Sequence, residues 1–412
     1  MAQSANPHFV GLDIGTSRVR CVVGSLEPST GKASIIGHGS AANQGMRKGV
    51  VVHVDDVAEA VVQAMTEAER ISGHRITQVT VNVNGTHVSG MNSKGVIAIS
   101  GANREISTDD RYRVEEAATV VQLPPNREII QFFAKNYSVD GQQNIKDPVG
   151  MSGVRLEVDA HIVTASTPSL RNLDFALSKA QVAPTHHTVS SLAATEAVMN
   201  RQQKEAGTVL LDIGAGTTNL IVVEDGEVQH VAVLPIGGQH ITNDLAIGLK
   251  TELDVAERVK LEHATLGKAT KATANVAIDK LTHSFSMSDI QMIVEARVEE
   301  LFEFVDKELM KIKRSRKLPG GVILTGGTAK LPGIADFAKE QLQLSARVGK
   351  LNSEIGGLVD TVEDIAYAPV IGLMLLDMLL LPEAPSAGQG NAGNPSAGAF
   401  GLVEGLFKRF KH

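Results

Sequence analysis

The run Val209 to Val223, Val-Leu-Leu-Asp-Ile-Gly-Ala-Gly-Thr-Thr-Asn-Leu-Ile-Val-Val, admits few folds. Its Val, Ile and Leu flanks suit two buried strands. Between them Gly214, Ala215, Gly216, Thr217 and Thr218 make a tight turn. Gly214 and Gly216 carry no side chain, so backbone N–H groups can approach a ligand closely and adopt φ > 0 where needed. Successive N–H groups in such a turn form an anion nest, to which the Thr217 and Thr218 hydroxyls add donors. Asp212 sits beside the turn, where its carboxylate would repel phosphate unless a divalent cation lay between them. Mg²⁺, a hard cation with an oxygen shell, fits that place.

The chain repeats the plan. Phe9 to Val23 also runs apolar strand, Asp13, Ile14, Gly15, then Thr16, Ser17 and Arg18, then a second apolar strand. Two such hairpins predict a duplicated fold whose halves face one nucleotide. A third stretch, Val322 to Gly333, runs from a buried strand into Gly326, Gly327 and Thr328, a turn able to hold an adenosine, with a helix after Pro332. A G-x-x-x-x-G-K-[ST] loop is absent, and no G-x-G-x-x-G follows a strand.

In order and spacing, the three stretches resemble the phosphate-1, phosphate-2 and adenosine motifs of the superfamily that holds actins, heat-shock chaperones and sugar kinases. The resemblance implies an α/β, actin-like fold of two ribonuclease-H-like domains, with ATP and Mg²⁺ between them. It assigns Asp13 and Asp212 to the metal, and the residues named in the three turns to the nucleotide. It also brings Gly237 and Gly238 near the nucleotide, and Glu257 and Lys260 onto ribose and base. By spacing alone, a Glu and a Lys three apart suit a solvated helix face equally well.

Composition narrows the function classes. A net charge of -7 argues against a global basic field for nucleic acid, and 3% aromatics with no Trp against stacking platforms. The single cysteine, Cys21, lies in an apolar strand, which reads as a buried core residue in a reducing cytoplasm. No stretch resembles a signal peptide or a bilayer span. The histidines, His186 and His187 among them, lack metal-ligand spacing and are expected at the surface or in turns.

Along the chain, periodicity predicts a helix capped by Asp55 and ended by Gly73, a strand over 78–84, and a long amphipathic helix over 289–311. Residues 85–165 read as an α+β insertion in the first domain, with a helix over 108–123 stopped by Pro124-Pro125. An insertion at this point, with Asp147-Pro148-Val149-Gly150-Met151-Ser152-Gly153-Val154-Arg155-Leu156 near its end, resembles the FtsA family of bacterial cell-division proteins. So does Met46-Arg47-Lys48-Gly49. The domain layout read this way is 1–84, opening part of the first actin-like domain, and 85–165, the insertion. Residues 166–200 return to the first domain and form a linking helix. The second domain spans 201–268, with an extra subdomain at 269–312 and a completion with closing helices at 313–381.

Residues 382–399, rich in Pro, Gly, Ala, Ser, Asn and Gln, cannot bury enough surface to fold and read as a disordered, flexible linker. Beyond it, Phe400, Leu402, Val403, Leu406, Phe407 and Phe410 fall on one side of a helical wheel. Glu404, Lys408, Arg409, Lys411 and His412 fall on the other. The bulky apolar face, with Lys408 and Arg409 beside it, is the pattern of an interfacial membrane anchor. Docking back on the folded body, or in a partner's groove, is the competing reading.

The family resemblance implies an actin-like protein that polymerises on the cytoplasmic face of the cell membrane at the division site. It implies tethering of the FtsZ ring to anionic lipids through residues 400–412, and recruitment of later division proteins. It also implies that the 269–312 subdomain binds the FtsZ C-terminal peptide, where Arg297 suits an acidic tail. At the place where relatives in the superfamily orient the attacking water, this chain has Ser190 or Ser191, while Glu196 is expected to face elsewhere. Slow hydrolysis follows, with ATP as a clamp. A small-molecule kinase and the pilus-assembly protein PilM are the alternatives.

Overall fold

The computed structural model describes residues 7–380 except 28, 102, 268–271 and 279–280. The expected linker 382–399 and anchor 400–412, with Phe400, Val403, Leu406, Phe407, Lys408, Arg409 and Phe410, lie outside the described residues.

The two hairpins seed two sheets of the same design. In the first half, His8–Ile14, Arg18–Leu26 and Ala33–Ala42 form an antiparallel meander. Gln78–Val83 and then Ala183–Val189 add in parallel on the side of His8–Ile14. In the second half, Thr208–Ile213, Thr218–Glu224 and Glu227–Leu234 form the meander, with Gly321–Thr325 and Ala346–Val348 added in parallel beside Thr208–Ile213. The actin-like duplication is thus present in strand order as well as in motif.

Parallel addition requires crossovers, which helices supply. Val54–Ser72 precedes Gln78–Val83, and its Val57, Ala60, Val61, Ala64, Met65 and Ala68 are buried at helical spacing. Gly73 closes it in the left-handed conformation, φ 72°, its N–H donating to the Glu69 carbonyl. Asp55 does not cap this helix. His53 holds the cap position, and Asp55 and Asp56 fall in the first turn, where acidic groups favour the helix dipole. In the second half, Met287–Lys311 buries Ile290, Val294, Val298, Leu301, Phe302 and Val305, with Ile293 half-buried.

Strand Thr208–Ile213 is buried on both faces, which is why it reads as an unbroken apolar run. Val209, Leu211 and Ile213 join the core of the second half. Leu210 instead packs in the first-half core with Leu192, Ala193 and Ala194 of the linking helix Ser190–Val198. The last of the closing helices expected within 313–381 comprises a 3₁₀ turn Ile365–Tyr367 and an α-helix Ala368–Leu379. It crosses the linking helix at Gly372, where a Cβ would lie 1.7 Å from the Ala193 carbonyl oxygen. Asp377 within it accepts from Val10 N–H at 3.0 Å and from the Thr80 hydroxyl at 2.7 Å.

The insertion has its own core, including Val114, Phe132, Tyr137, Leu156 and Ile162. Ser89–Ala98, Arg155–Ser166, Arg127–Val139 and Gln142–Ile145 form its antiparallel sheet. Its helix, Thr108–Thr119, starts in a Ser107–Asp110 capping box and ends earlier than the prolines required. The insertion leans on the second half, although it interrupts the first. Ser89 pairs with Ala232 of Glu227–Leu234, which fuses the two sheets into nine strands and covers an edge otherwise open to further pairing. Beside this seam His161 Nε2 accepts the Val231 N–H at 3.0 Å, and its Nδ1 lies 2.9 Å from Asn92 Oδ1.

Among the described residues, no helix is long and apolar enough to cross a membrane. Cys21 is buried, as expected. His186 and His187 lie not in a turn but in the edge strand Ala183–Val189, where both are half-buried and His187 Nε2 is 2.8 Å from Asp174 Oδ1.

Candidate nucleotide-binding cleft

The two hairpin turns close in the same way. Gly15 N–H donates to the Arg18 carbonyl at 3.0 Å, and Gly214 N–H to the Thr217 carbonyl at 2.9 Å. A Cβ at Gly15 would lie 2.9 Å from the Arg18 oxygen, and one at Gly216 2.9 Å from Thr16 Oγ1 of the other hairpin. None of Gly15, Gly214 and Gly216 has a positive φ. Close approach, not left-handed geometry, is what they provide.

Each turn is braced from behind. Asn43 Nδ2 donates to the Gly15 carbonyl at 2.8 Å, and Gly49 N–H to Thr16 Oγ1 at 3.1 Å. Gly238 N–H donates to the Gly214 carbonyl at 2.9 Å, and Gln239 N–H to that of Ala215 at 2.8 Å. The Thr328 hydroxyl donates to the Gly214 carbonyl at 3.0 Å. With the carbonyls engaged outward, the Thr16, Ser17, Ala215 and Gly216 N–H groups make no intramolecular hydrogen bond among the described residues.

Between the turns lies a cleft of about 630 Å³, the size range of small-ligand pockets. It gathers Asp13, Gly15, Thr16, Ser17 and Arg18 from the first hairpin and Asp212, Gly214, Ala215 and Thr217 from the second. Gly238, Glu257, Lys260, Gly326, Gly327 and Thr328 also line it. Three expected residues stay outside the lining. Gly216 and Gly237 serve close packing, a Cβ on Gly237 falling 2.6 Å from the Gly214 oxygen. Thr218 is buried and donates its hydroxyl to the Ile236 carbonyl at 2.8 Å.

Asp13 and Asp212 are both buried. Asn82 Nδ2 donates to Asp13 Oδ1 at 2.7 Å, and Asn219 Nδ2 to Asp212 Oδ2 at 3.0 Å. Burial pushes the Asp13 carboxyl up to about 7, against the Arg20 guanidinium and with a further push from Asp212. Burial also raises Asp212, against its hydrogen bonds from Asn219 and Ser190. Two desolvated carboxyls therefore face one cleft beside turns rich in N–H donors.

Lys260 is held rather than solvated. Its ammonium donates to Glu257 Oε2 at 2.7 Å, Thr242 Oγ1 at 2.9 Å and the Gly238 carbonyl at 3.2 Å. Ile241, Leu261, Leu331 and Pro332 give this end of the cleft apolar walls.

Sequence reasoning missed Arg20 and Asn84. Arg20 stands opposite Asp13 in the hairpin register, as Asn219 stands opposite Asp212. Counting outward from each turn would have found Arg20 and Asn219. Asn84 Oδ1 accepts the Thr217 hydroxyl at 3.3 Å, a bond between the halves, and only the folded chain brings them together.

Two further expectations are decided by contacts. Ser190 and Ser191 are both buried, but only Ser190 lines the cleft, where it donates to Asp212 Oδ2 at 3.3 Å. Glu196 faces elsewhere, paired with Lys204 at 2.8 Å. Arg297 is not a free guanidinium: it forks onto Asp244, with Nη2 2.9 Å from Oδ1, and also bonds Glu300.

Residues 209–372 match the family model for cell division protein FtsA, and residues 85–164 the one for the SHS2 domain inserted in FTSA. A cell division protein FtsA of Pseudomonas aeruginosa is 34% identical over 372 residues, covering 89% of this chain and 88% of that protein. The chain belongs to the FtsA family. It is an actin-like cell-division protein whose SHS2 insertion is the subdomain leaning on the second half. Solved structures agree on the fold. The PilM-PilN type IV pilus biogenesis complex superposes with a TM-score of 0.66 at 17% identity, covering 90% of this chain and 99% of that one. MreB5 of Spiroplasma citri bound to ADP gives 0.52 at 14% identity, covering 90% and 96%. Membership in FtsA sets aside the kinase and PilM alternatives.

Proposed function

We propose that the cleft binds ATP with Mg²⁺ and that the nucleotide clamps the two halves of an FtsA-type membrane tether. The observation that carries this reading is the pair of buried carboxyls, Asp13 and Asp212, lining one cleft with two turns whose Thr16, Ser17, Ala215 and Gly216 N–H groups have no hydrogen-bond partner among the described residues. An anion alone would be repelled by such acids. A divalent cation beside the phosphates restores their ionised form and satisfies both. The donor set therefore fits Mg²⁺ with a nucleotide. Gly15, Thr16, Ser17, Arg18, Gly214, Ala215 and Thr217 would hold phosphates, with Gly216, Thr218 and Gly237 shaping the turns. Glu257 and Lys260 would take the ribose and Gly326, Gly327 and Thr328 the adenosine. MreB5, a structural neighbour, was solved with ADP.

Turnover is expected to be slow. The linking helix offers the cleft only the Ser190 hydroxyl, already donated to Asp212, and its Glu196 is committed to Lys204. Neither is placed as a base for water.

The remaining roles follow the family. The protein polymerises on the cytoplasmic face of the membrane at the division site, binds the FtsZ C-terminal peptide, and recruits later division proteins. Residues 400–412 anchor it to anionic lipid. One short amphipathic helix binds weakly, and several on one polymer bind firmly through effective concentration. The test is co-pelleting with anionic vesicles in Mg-ATP, comparing the full chain with one stopped after Leu381. Pelleting of the full chain alone supports the tether. Equal pelleting of both removes the anchor from residues 400–412, and brisk phosphate release removes the clamp.

A further inference from the structure

The closing helix Ala368–Leu379 is apolar almost all round, and such a helix belongs in a core. Its last turns are not fully covered. Leu375, Met378 and Leu379 are half-buried and form one wall of a groove of about 740 Å³ at the end of the linking helix opposite Ser190, beside Glu196 and Met199. Met199 and Ile355 continue the apolar floor. Asn352 closes one end, its N–H bonded to the Ala197 carbonyl at 2.9 Å and its amide to that of Glu196 at 3.0 Å. The groove is thus built on backbone that is already satisfied, and its apolar floor and wall are bordered by polar and charged side chains, Lys32, Glu196, Asn200, Arg201, Lys204 and Glu354.

We infer that this groove docks the chain's own C-terminal amphipathic segment, 400–412. Three observations favour that occupant. The groove wall includes Leu379, and the described residues end at Leu380, so the stretch 381–412 starts from the groove itself. A chain of 18 residues, the length of 382–399, spans roughly 20–25 Å as a coil, enough to turn back and short enough to hold residues 400–412 near millimolar effective concentration. The segment carries Phe400, Val403, Leu406, Phe407 and Phe410 on one face, an apolar ridge without a core of its own. At such a local concentration a docking affinity of about 0.1 mM keeps most molecules closed. Docking covers the face that the anchor reading gives to lipid, so the two are mutually exclusive. The docking itself stands independently of that reading.

The experiment uses the full chain with Ser353→Cys at the groove rim and Gly401→Cys in the segment. Cys21 is buried and does not compete. A short bis-maleimide should join the two cysteines within one molecule, at a rate independent of protein concentration. Phe407→Asp in the same background should slow it at least tenfold, and it alters no residue of the described body. Met378→Glu, checked for a native circular dichroism spectrum, should do the same from the groove side. Equal rates with and without Phe407→Asp would overturn the inference, and so would a product joining two molecules in proportion to concentration. Anionic vesicles separate this from the membrane reading. A fast cross-link that vesicles suppress supports both. One that vesicles leave unchanged supports docking and sinks the anchor. Absent cross-linking with tail-dependent pelleting sinks docking and leaves the anchor standing.

Discussion

His161 offers a way to measure how firmly the SHS2 insertion is sealed to the second half. Its imidazole is buried at the seam, and burial pushes its pKa down to about 3, helped by the charges of His230 and Lys135. Unfolded, the group titrates near 6.5. The unfolded chain therefore binds more protons than the folded one between those values, and stability falls as pH drops through 6.5. At pH 7.5 both states are neutral and the contribution vanishes. At pH 5 the unfolded histidine is protonated and the folded one is not. One and a half decades of proton affinity then cost about 2 kcal/mol. His161→Gln removes the titration and can keep the geometry, its carboxamide oxygen accepting the Val231 N–H and its NH₂ facing Asn92 Oδ1. Urea unfolding followed by far-UV circular dichroism suits a chain without Trp. The variant should match the wild type within about 1 kcal/mol at pH 7.5, since both seam hydrogen bonds survive. At pH 5 it should be relatively more stable by about 2 kcal/mol, because all other titrations cancel between the two proteins. Parallel pH dependences would refute the reasoning and show that the seam opens or hydrates before His161 is called on to stay neutral.

Other predictions are simpler. Asp212→Asn or Asp13→Asn should lower Mg²⁺-dependent ATP affinity at least tenfold, about 1.4 kcal/mol, in equilibrium binding of a fluorescent analogue. Mg²⁺-independent binding should change little, and an equal loss with and without Mg²⁺ would remove the metal role. Gly326→Ala should destabilise by about 1–3 kcal/mol, because φ is 88° and the new Cβ would meet Asp212 Oδ1 and the Ile213 carbonyl at 2.6 Å. A melting temperature equal to wild type would contradict that contact. For the FtsZ peptide, Arg297→Ala should weaken binding, whereas Asp244→Asn, which frees the Arg297 fork, should strengthen it. If both weaken it, the pair acts structurally, tying Met287–Lys311 to the helix Gly238–Gly248.

Much of this site was legible in one sequence because phosphate turns are local objects. Asp13 and Gly15, like Asp212 and Gly214, are two residues apart, so their juxtaposition is covalent before it is tertiary. Thr218 shows the limit: its hydroxyl was counted as a donor, yet alternation along the strand turns it toward the Ile236 carbonyl. Arg297 shows another. Its charge was visible on the helix wheel, but Asp244, 53 residues earlier, was not visible as its partner.

The chain's order of strands, the duplication, the insertion and the phosphate turns were determined by local pattern, since alternation, glycine spacing and turn chemistry act within a few residues. The tertiary structure alone decided that the insertion seals onto the second half, that Asn84 reaches Thr217 across the cleft, and that burial pushes the Asp13 carboxyl up. These depend on desolvation and on contacts between residues far apart in sequence. Such terms exist only once the chain has closed around them.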